Sequence, residues 1–263
     1  MGRVVPGRLI GELTFPEISQ LLRATSILCM PIGSIEQHGP HLPLSTDVVL
    51  AEEIAKLIVA RWGESRDLWQ LPTQSISLAR EHDWAPGTMS LSIQAMTAVM
   101  RDLGREIARA LPARNLLIVN GHGGNRGILE ALAHELRADF GLNICILHPA
   151  EFVEPDAKAA IPEIHGGKNE TSMMLALAPH LVRRDAIAKL QKSVDGGAIR
   201  KTILDPAVTW PWTTDDERIA DMGVIGDAHA ASAEFGKIIV DRVVDAAGAV
   251  LQRLAENQRT ARA

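Results

Sequence analysis

The 263-residue sequence contains no tyrosine, and aromatic residues make up only 3% of it. The other absences exclude whole classes of protein. No stretch approaches the roughly 18 consecutive apolar residues of a membrane span, so no membrane segment is expected. The N-terminal stretch MGRVVPGRLIGEL has no apolar run long enough for a signal peptide, which makes a cytoplasmic location the expectation. A basic excess is also missing. The 27 Lys and Arg stand against 32 Asp and Glu, a formal net charge of −5, so nucleic acid is not an expected partner. There are only two cysteines. Cys29 and Cys145 both lie in apolar, strand-like stretches and read as buried free thiols rather than a disulfide.

What remains is a chain with 46% hydrophobic and 22% charged residues, the composition of a soluble globular protein. Its length suits a single domain over 1–263 with a substantial core. SILCMPI (26–32), NLLIVN (115–120) and NICILH (143–148) are short apolar runs of the buried-strand type. LWQLPTQSISLA (68–79) reads as extended. Helical spacing appears in 48–62, with Asp47 as a candidate N-cap, and in 90–111, with Ser90 as candidate cap. It recurs in 126–140, 169–178 and 227–257. Alternating strands and helices predict an α/β fold: a three-layer α/β/α sandwich around a mostly parallel central sheet. The stretch 195–225 has no clear period. With PAVTWPW (206–212) inside it, it is long enough to cover a site or join a subunit contact.

Chemistry concentrates in three loops. GSIEQHGPHLPLSTD (33–47) follows the first strand and GHGGN (121–125) follows the second. In a parallel sheet, ligands collect at the carboxyl ends of the strands. Glu36, His38, Asp47 and His122 therefore share one rim. Glu36 and His38 are two apart, so an extended backbone points both to one side. The glycines and prolines of 39–43 fold the loop back so that Asp47 converges on them. A third cluster, EIHGGKNETS (163–172), adds Glu163, His165 and Glu170. Mixed imidazoles and carboxylates suit zinc, manganese or iron. A carboxylate shared by two ions, with a bridging hydroxide between them, would make a strong nucleophile at neutral pH. Spacing alone leaves Asp47 as either helix cap or ligand, and Glu170 as either ligand or first-turn helix acid.

GSIEQHGPHLPLSTD, EHDWAPGTMSL (81–91), NGHGGN (120–125) and HGGKNETS (165–172), in this order, resemble the creatininase (creatinine amidohydrolase) family. GELTFPEI (11–18) resembles its N-terminal segment. The resemblance implies a metal-dependent hydrolase that cleaves a non-peptide or cyclic C–N amide bond (amide, lactam or formamide) with a metal-bridged hydroxide. It also implies a small-molecule amide substrate and a homo-oligomer, a hexamer in the family. Two divalent ions per chain are implied, zinc first and manganese or iron as alternatives. By position, Glu36 and His122 resemble ligands of one ion, His38 resembles a ligand of the other, and Asp47 resembles the bridge. Creatininase carries a carboxylate ligand two residues after the histidine of its NGH motif. Here that position is Gly124, and Glu170 is assigned to replace the missing acid.

His165 resembles the proton-transfer histidine of the family. His82 and Trp84, in a segment that resembles the family's EHxxFPGT motif, are expected at the substrate together with Gly123. His41 is expected to be structural. Creatininase also presents tryptophans near the segments that read HPAEF (148–152) and AIPEIH (160–165) here. Neither segment carries a tryptophan to stack a planar substrate, which counts against creatinine. Two other functions fit the same residues: a lactone or cyclic-ketone hydrolase on a sugar-derived substrate, and a catalytically impaired metal- or ligand-binding subunit.

Overall fold

Strand periodicity fixes the architecture. In the run Ile27–Ile32 every residue is buried, and so is every residue of Asn115–Asn120. A strand whose side chains alternate between two faces can be buried throughout only if both faces are covered. The computed structural model describes residues 6–153, 160–190 and 194–260. The signal-peptide reading of the N-terminus rests partly on residues 1–5, which lie outside these.

In chain order the main elements are α1 (Phe15–Leu21), β1 (Ile27–Ile32), α2 (Thr46–Arg66), β2 (Leu68–Gln70), α3 (Ile93–Ala110), β3 (Asn115–Asn120), α4 (Arg126–Phe140) and β4 (Asn143–Leu147). They continue as α5 (Lys168–Leu177), α6 (Arg184–Ile187), α7 (Gly196–Thr202) and α8 (Ala233–Thr260). Among the described residues the strands form one sheet of order β2-β1-β3-β4, and all its pairings are parallel. Ile27 and Cys29 of β1, with Leu117 and Val119 of β3, face a core built from α2, α5 and α8. Leu28, Met30, Leu116 and Ile118 face the opposite core, built from α3, α4 and the end of the α1 segment. The result is the three-layer α/β/α sandwich expected from the sequence. Side chains such as Ile54, Ile58 and Met96 are fully buried, each contributing about 1.5–3 kcal/mol by leaving water.

Several boundaries differ from the sequence expectation. α2 begins at Thr46 with Ser45 as N-cap, so Asp47 lies in the first turn and its carboxylate is free for other partners. α3 is capped by Ser92, whose Oγ accepts from the Ala95 N–H at 3.1 Å. Ser90 does not cap it, because Leu91 donates its N–H to Ser77 O at 2.8 Å and that bond keeps the chain extended. Ser90 Oγ instead accepts from the Ala79 N–H at 2.9 Å. Only the first three residues of 68–79 join the sheet, with a further bridge between Gln74 and Ile32. The last helix starts at Ala233 because Ala231 is extended (φ −75°, ψ 144°) after a single 3-10 turn. The stretch 195–225, read as irregular, contains α7. Among the described residues no helix is long and apolar enough to cross a membrane. Both cysteines are free.

One topological feature positions the site. After β1 the chain moves outward to β2 through α2 on one face. After β3 it moves the opposite way to β4 through α4 on the other face. β1 and β3 are neighbours, so their carboxyl ends open onto the crevice where the strand order reverses. Ligands gather there in open α/β sheets.

Candidate metal centre

The loops after β1 and β3 are held against the start of α2 by glycines that have no room for a side chain. A Cβ at Gly33 would lie 2.5 Å from Val48 N, and one at Gly121 would lie 2.3 Å from Asp47 O. This approach presses the first turn of α2 into the crevice and carries Asp47 with it. The NGH loop is braced separately. Asn120 Nδ2 donates to His122 O at 2.7 Å, and Asn125 Nδ2 donates to Asn120 Oδ1 at 3.2 Å.

The structure brings Glu36, His38, Asp47, His122, His165 and Glu170 together. Asp47 stands at the centre. Its Oδ1 lies 3.0 Å from His38 Nε2 and its Oδ2 lies 3.1 Å from His122 Nδ1. His122 Nδ1 is also 3.1 Å from Glu36 Oε1, and His38 Nε2 is 3.8 Å from Glu170 Oε2. Two triads result, Glu36–Asp47–His122 and His38–Asp47–Glu170, each with one donor atom per residue inside 4.8 Å, and Asp47 belongs to both. A third, Glu36–His38–His165, meets the same criterion.

These groups are buried and incompletely satisfied. Glu36 is fully buried, yet neither of its oxygens has a hydrogen-bond partner among the described residues. Asp47 Oδ2 and His122 Nε2 are in the same position. A buried carboxylate without a donor is costly, and divalent cations are the partners that offset the cost for a set of carboxylates and imidazoles. The residues present therefore fit a pair of divalent ions.

Electrostatics in the metal-free state follow from burial and crowding. Burial pushes the Glu36 carboxyl up to about 7, against the opposing pull of His122. It raises Glu170 as well. Burial pulls His38 down, but Asp47, Glu170 and Glu36 more than reverse this and raise it to about 10. For His122, too, burial is outweighed, by Glu36 and Asp47, and its pKa lies well above the usual histidine value. Asp47 is held well below the carboxylate range because His38 and His122 outweigh its burial. His165 is driven well below its usual value by burial and then by His38 and His82. Its ring lies between those two imidazoles, with centroids 4.1 Å from each.

Backbone carbonyls set the ring orientations. His165 Nε2 is 2.6 Å from Gln37 O, and His38 Nδ1 is 3.2 Å from Glu36 O. A carbonyl only accepts, so each of these nitrogens is the N–H. His165 Nδ1 then turns to Glu36 Oε1 at 3.7 Å, and His38 Nε2 turns to Asp47.

Other candidates land differently. His82 lines the cavity above the acids, but it is buried, with Nε2 3.3 Å from Glu36 Oε1. Gly123 lines the same cavity, with nothing within 4 Å of where its Cβ would lie. Trp84 is half-exposed and is tied to the site through its indole N–H, which donates to Thr214 Oγ1 at 2.9 Å. His41 is buried, its Nε2 2.8 Å from Thr171 Oγ1. Glu163 is not part of the cluster, since its carboxylate accepts from the N–H groups of Lys168 and Asp227 at 2.6 and 2.9 Å. Two rings reach the cavity from another segment, the one expected to be long enough to cover a site. Trp210 and Trp212 line the cavity, of about 520 Å³, from the 206–212 segment. Phe152, in the HPAEF stretch, packs against the α2/α5/α8 core.

Three residues of the site escaped the sequence reading. Gln37, between Glu36 and His38 in the chain, is buried, and its Nε2 lies 3.0–3.2 Å from His82 Nδ1, Thr214 Oγ1, Gly223 O and His165 Nε2. Thr214 meets it from the tryptophan-bearing segment. Glu81 sits beside His122. The one available signal was the adjacency of Glu81 to His82 in EHDWAPGT.

The chain is similar to known proteins over most of its length. The sequence model of the creatininase family, described as creatinine amidohydrolase, matches residues 11–251. A mycofactocin precursor peptide peptidase from Mycobacterium tuberculosis is 32% identical over 243 residues, covering 90% of this chain and 89% of its own. A creatinine amidohydrolase from Pseudomonas putida is 32% identical over 256 residues, covering 88% and 91%. A solved mutant creatininase of Zn–Zn type superposes with a TM-score of 0.73 at 26% identity, covering 96% of this chain and 99% of its own. With the family matched over nearly its whole length, the chain belongs to the creatininase family.

Proposed function

We propose that the chain hydrolyses a C–N amide bond, in a lactam, formamide or other non-peptide or cyclic amide, at a centre of two divalent ions. The observation that carries this reading is the buried Asp47 carboxylate, whose two oxygens face two different triads. Glu36, Asp47 and His122 would hold one ion, and His38, Asp47 and Glu170 the other. This donor set suits zinc, with manganese or iron as alternatives. When bound, such ions supply Lewis acidity that lowers the pKa of a water and polarises a carbonyl.

The remaining steps fall to side chains. His165 keeps a proton on Nε2 against the Gln37 carbonyl and leaves Nδ1 open over Glu36. From Nδ1 it takes the proton of the attacking water and passes it to the departing nitrogen. Gln37 holds the His82–His165 pair in place. Trp210 and Trp212 provide an apolar wall for the body of the substrate, and Gly123 leaves its backbone open to the scissile group. A binding role for His82 and Trp84 belongs to the same proposal, with His82 also orienting Glu36. Assembly as a homohexamer and a cytoplasmic location complete it, and sedimentation and fractionation test those two parts.

The direct test combines metal analysis with a panel of creatinine, formamidopyrimidines, small lactams, lactones and short peptides. His165→Ala should lose about 10²–10⁴-fold in activity while keeping its metal. Full activity after exhaustive chelation contradicts the proposal, and turnover of lactones but not amides shifts the reaction class.

A further inference from the structure

Beside the Glu36–Asp47–His122 triad stands a carboxylate with no assigned role. Glu81 Oε1 is 3.5 Å from His122 Nε2, and the Glu81 side chain is 16% exposed at the cavity wall. That nitrogen is buried and has no hydrogen-bond partner among the described residues. The other ring nitrogen, Nδ1, is 3.1 Å from both Glu36 Oε1 and Asp47 Oδ2. A neutral imidazole has one donor and one acceptor nitrogen. An ion taken at Nδ1 between those two acids obliges Nε2 to keep the proton, and the acceptor beside it is Glu81.

The backbone reserves the space for this pair. A Cβ at Gly124 would lie 2.3 Å from Glu81 Oε1 and 2.4 Å from His122 Nε2. A side chain at position 124 and the Glu81–His122 contact therefore exclude each other. Residue 81 is also anchored from outside the cluster, since its carbonyl accepts the Thr214 N–H at 2.9 Å.

We infer that Glu81 is a positioning residue for the ion held by His122. It accepts a hydrogen bond from the Nε2–H, fixes the ring and presents Nδ1 to the ion, in the place that Gly124 leaves open. This rests on the two-ion reading above. Carboxylates that orient a ligating histidine in this way typically change metal affinity 10–100-fold when removed.

The test is zinc and manganese binding to wild type, Glu81→Ala and Glu81→Gln, each stripped and reloaded. Crystals of the loaded proteins identify which ion is lost, and circular dichroism confirms the fold. Glu81→Ala should weaken one ion by roughly 10–100-fold, that ion should be the one at His122, and the ion at His38 should keep its Kd. Glu81→Gln retains an acceptor oxygen and should weaken the same ion less. Unchanged Kd values for both ions in Glu81→Ala, or equal weakening of both, would overturn the inference. A wild-type chain that binds fewer than two ions would instead overturn the two-ion reading beneath it.

Discussion

Stripping the metal should give the protein an alkaline instability that loading reverses. In the metal-free state His38 is raised to about 10 from an ordinary 6.5, and His122 is raised as well. Folded-state pKa values above the unfolded ones mean that their contribution is complete below pH 6.5 and disappears as pH climbs through the folded values. Between pH 7 and 9 the folded chain holds a proton on His38 that the unfolded chain has released. Each such proton costs about 1.4 kcal/mol per pH unit, so His38 alone removes about 2–3 kcal/mol over that window, with His122 adding in the same direction. That is a large part of a typical folding stability of about 5–15 kcal/mol. The buried Cys29 thiol and the half-buried Cys145 thiol are both raised by burial, and their unfolded counterparts ionise near the ordinary value of about 8.5, so they add to the fall between pH 8 and 9 and the fall from pH 7 to 8 reads the imidazoles.

The assay is urea unfolding of chelated protein at pH 7, 8 and 9. With ions bound, the imidazoles coordinate in their neutral form and binding releases protons, so stabilisation by metal grows with pH. A metal-free stability that is flat or rising from pH 7 to 9 would refute the charge balance assigned to the centre.

Other perturbations separate the parts of the site. Asp47→Asn should lose both ions together and reduce activity at least as far as His165→Ala, measured by metal content and turnover. Gly121→Ala should cost about 1–3 kcal/mol by overpacking, because its Cβ would meet Asp47 O at 2.3 Å; thermal unfolding reads this. Gly124→Ala should displace His122 and weaken metal binding although its backbone conformation tolerates alanine. Trp212→Ala should raise KM with little change in metal content, and a loss of metal would contradict its place in the substrate wall.

The sandwich was legible because β1 and β3 are apolar on both faces, and only a sheet covered by helices on both sides buries them. Glu36, His38, Asp47 and His122 were legible because both of their loops follow such strands. Cap positions were not. Ser90 and Ser92 look alike in sequence, and the choice between them is made by the bond from Leu91 to Ser77. Gln37 was illegible for a related reason. Its role depends on Thr214, 177 positions later, and on Gly223. The tryptophans were sought in the segments before His165, whereas the fold brings Trp210 and Trp212 to the cavity by a loop that carries no period to place it.

The most direct measurement is the number of divalent ions held by each chain after loading and desalting, in wild type and in Asp47→Ala. A carboxylate shared between the His38 and His122 triads predicts two ions per chain and the loss of both in the variant. One ion or none in the wild type, or two ions unaffected by the loss of Asp47, would contradict it.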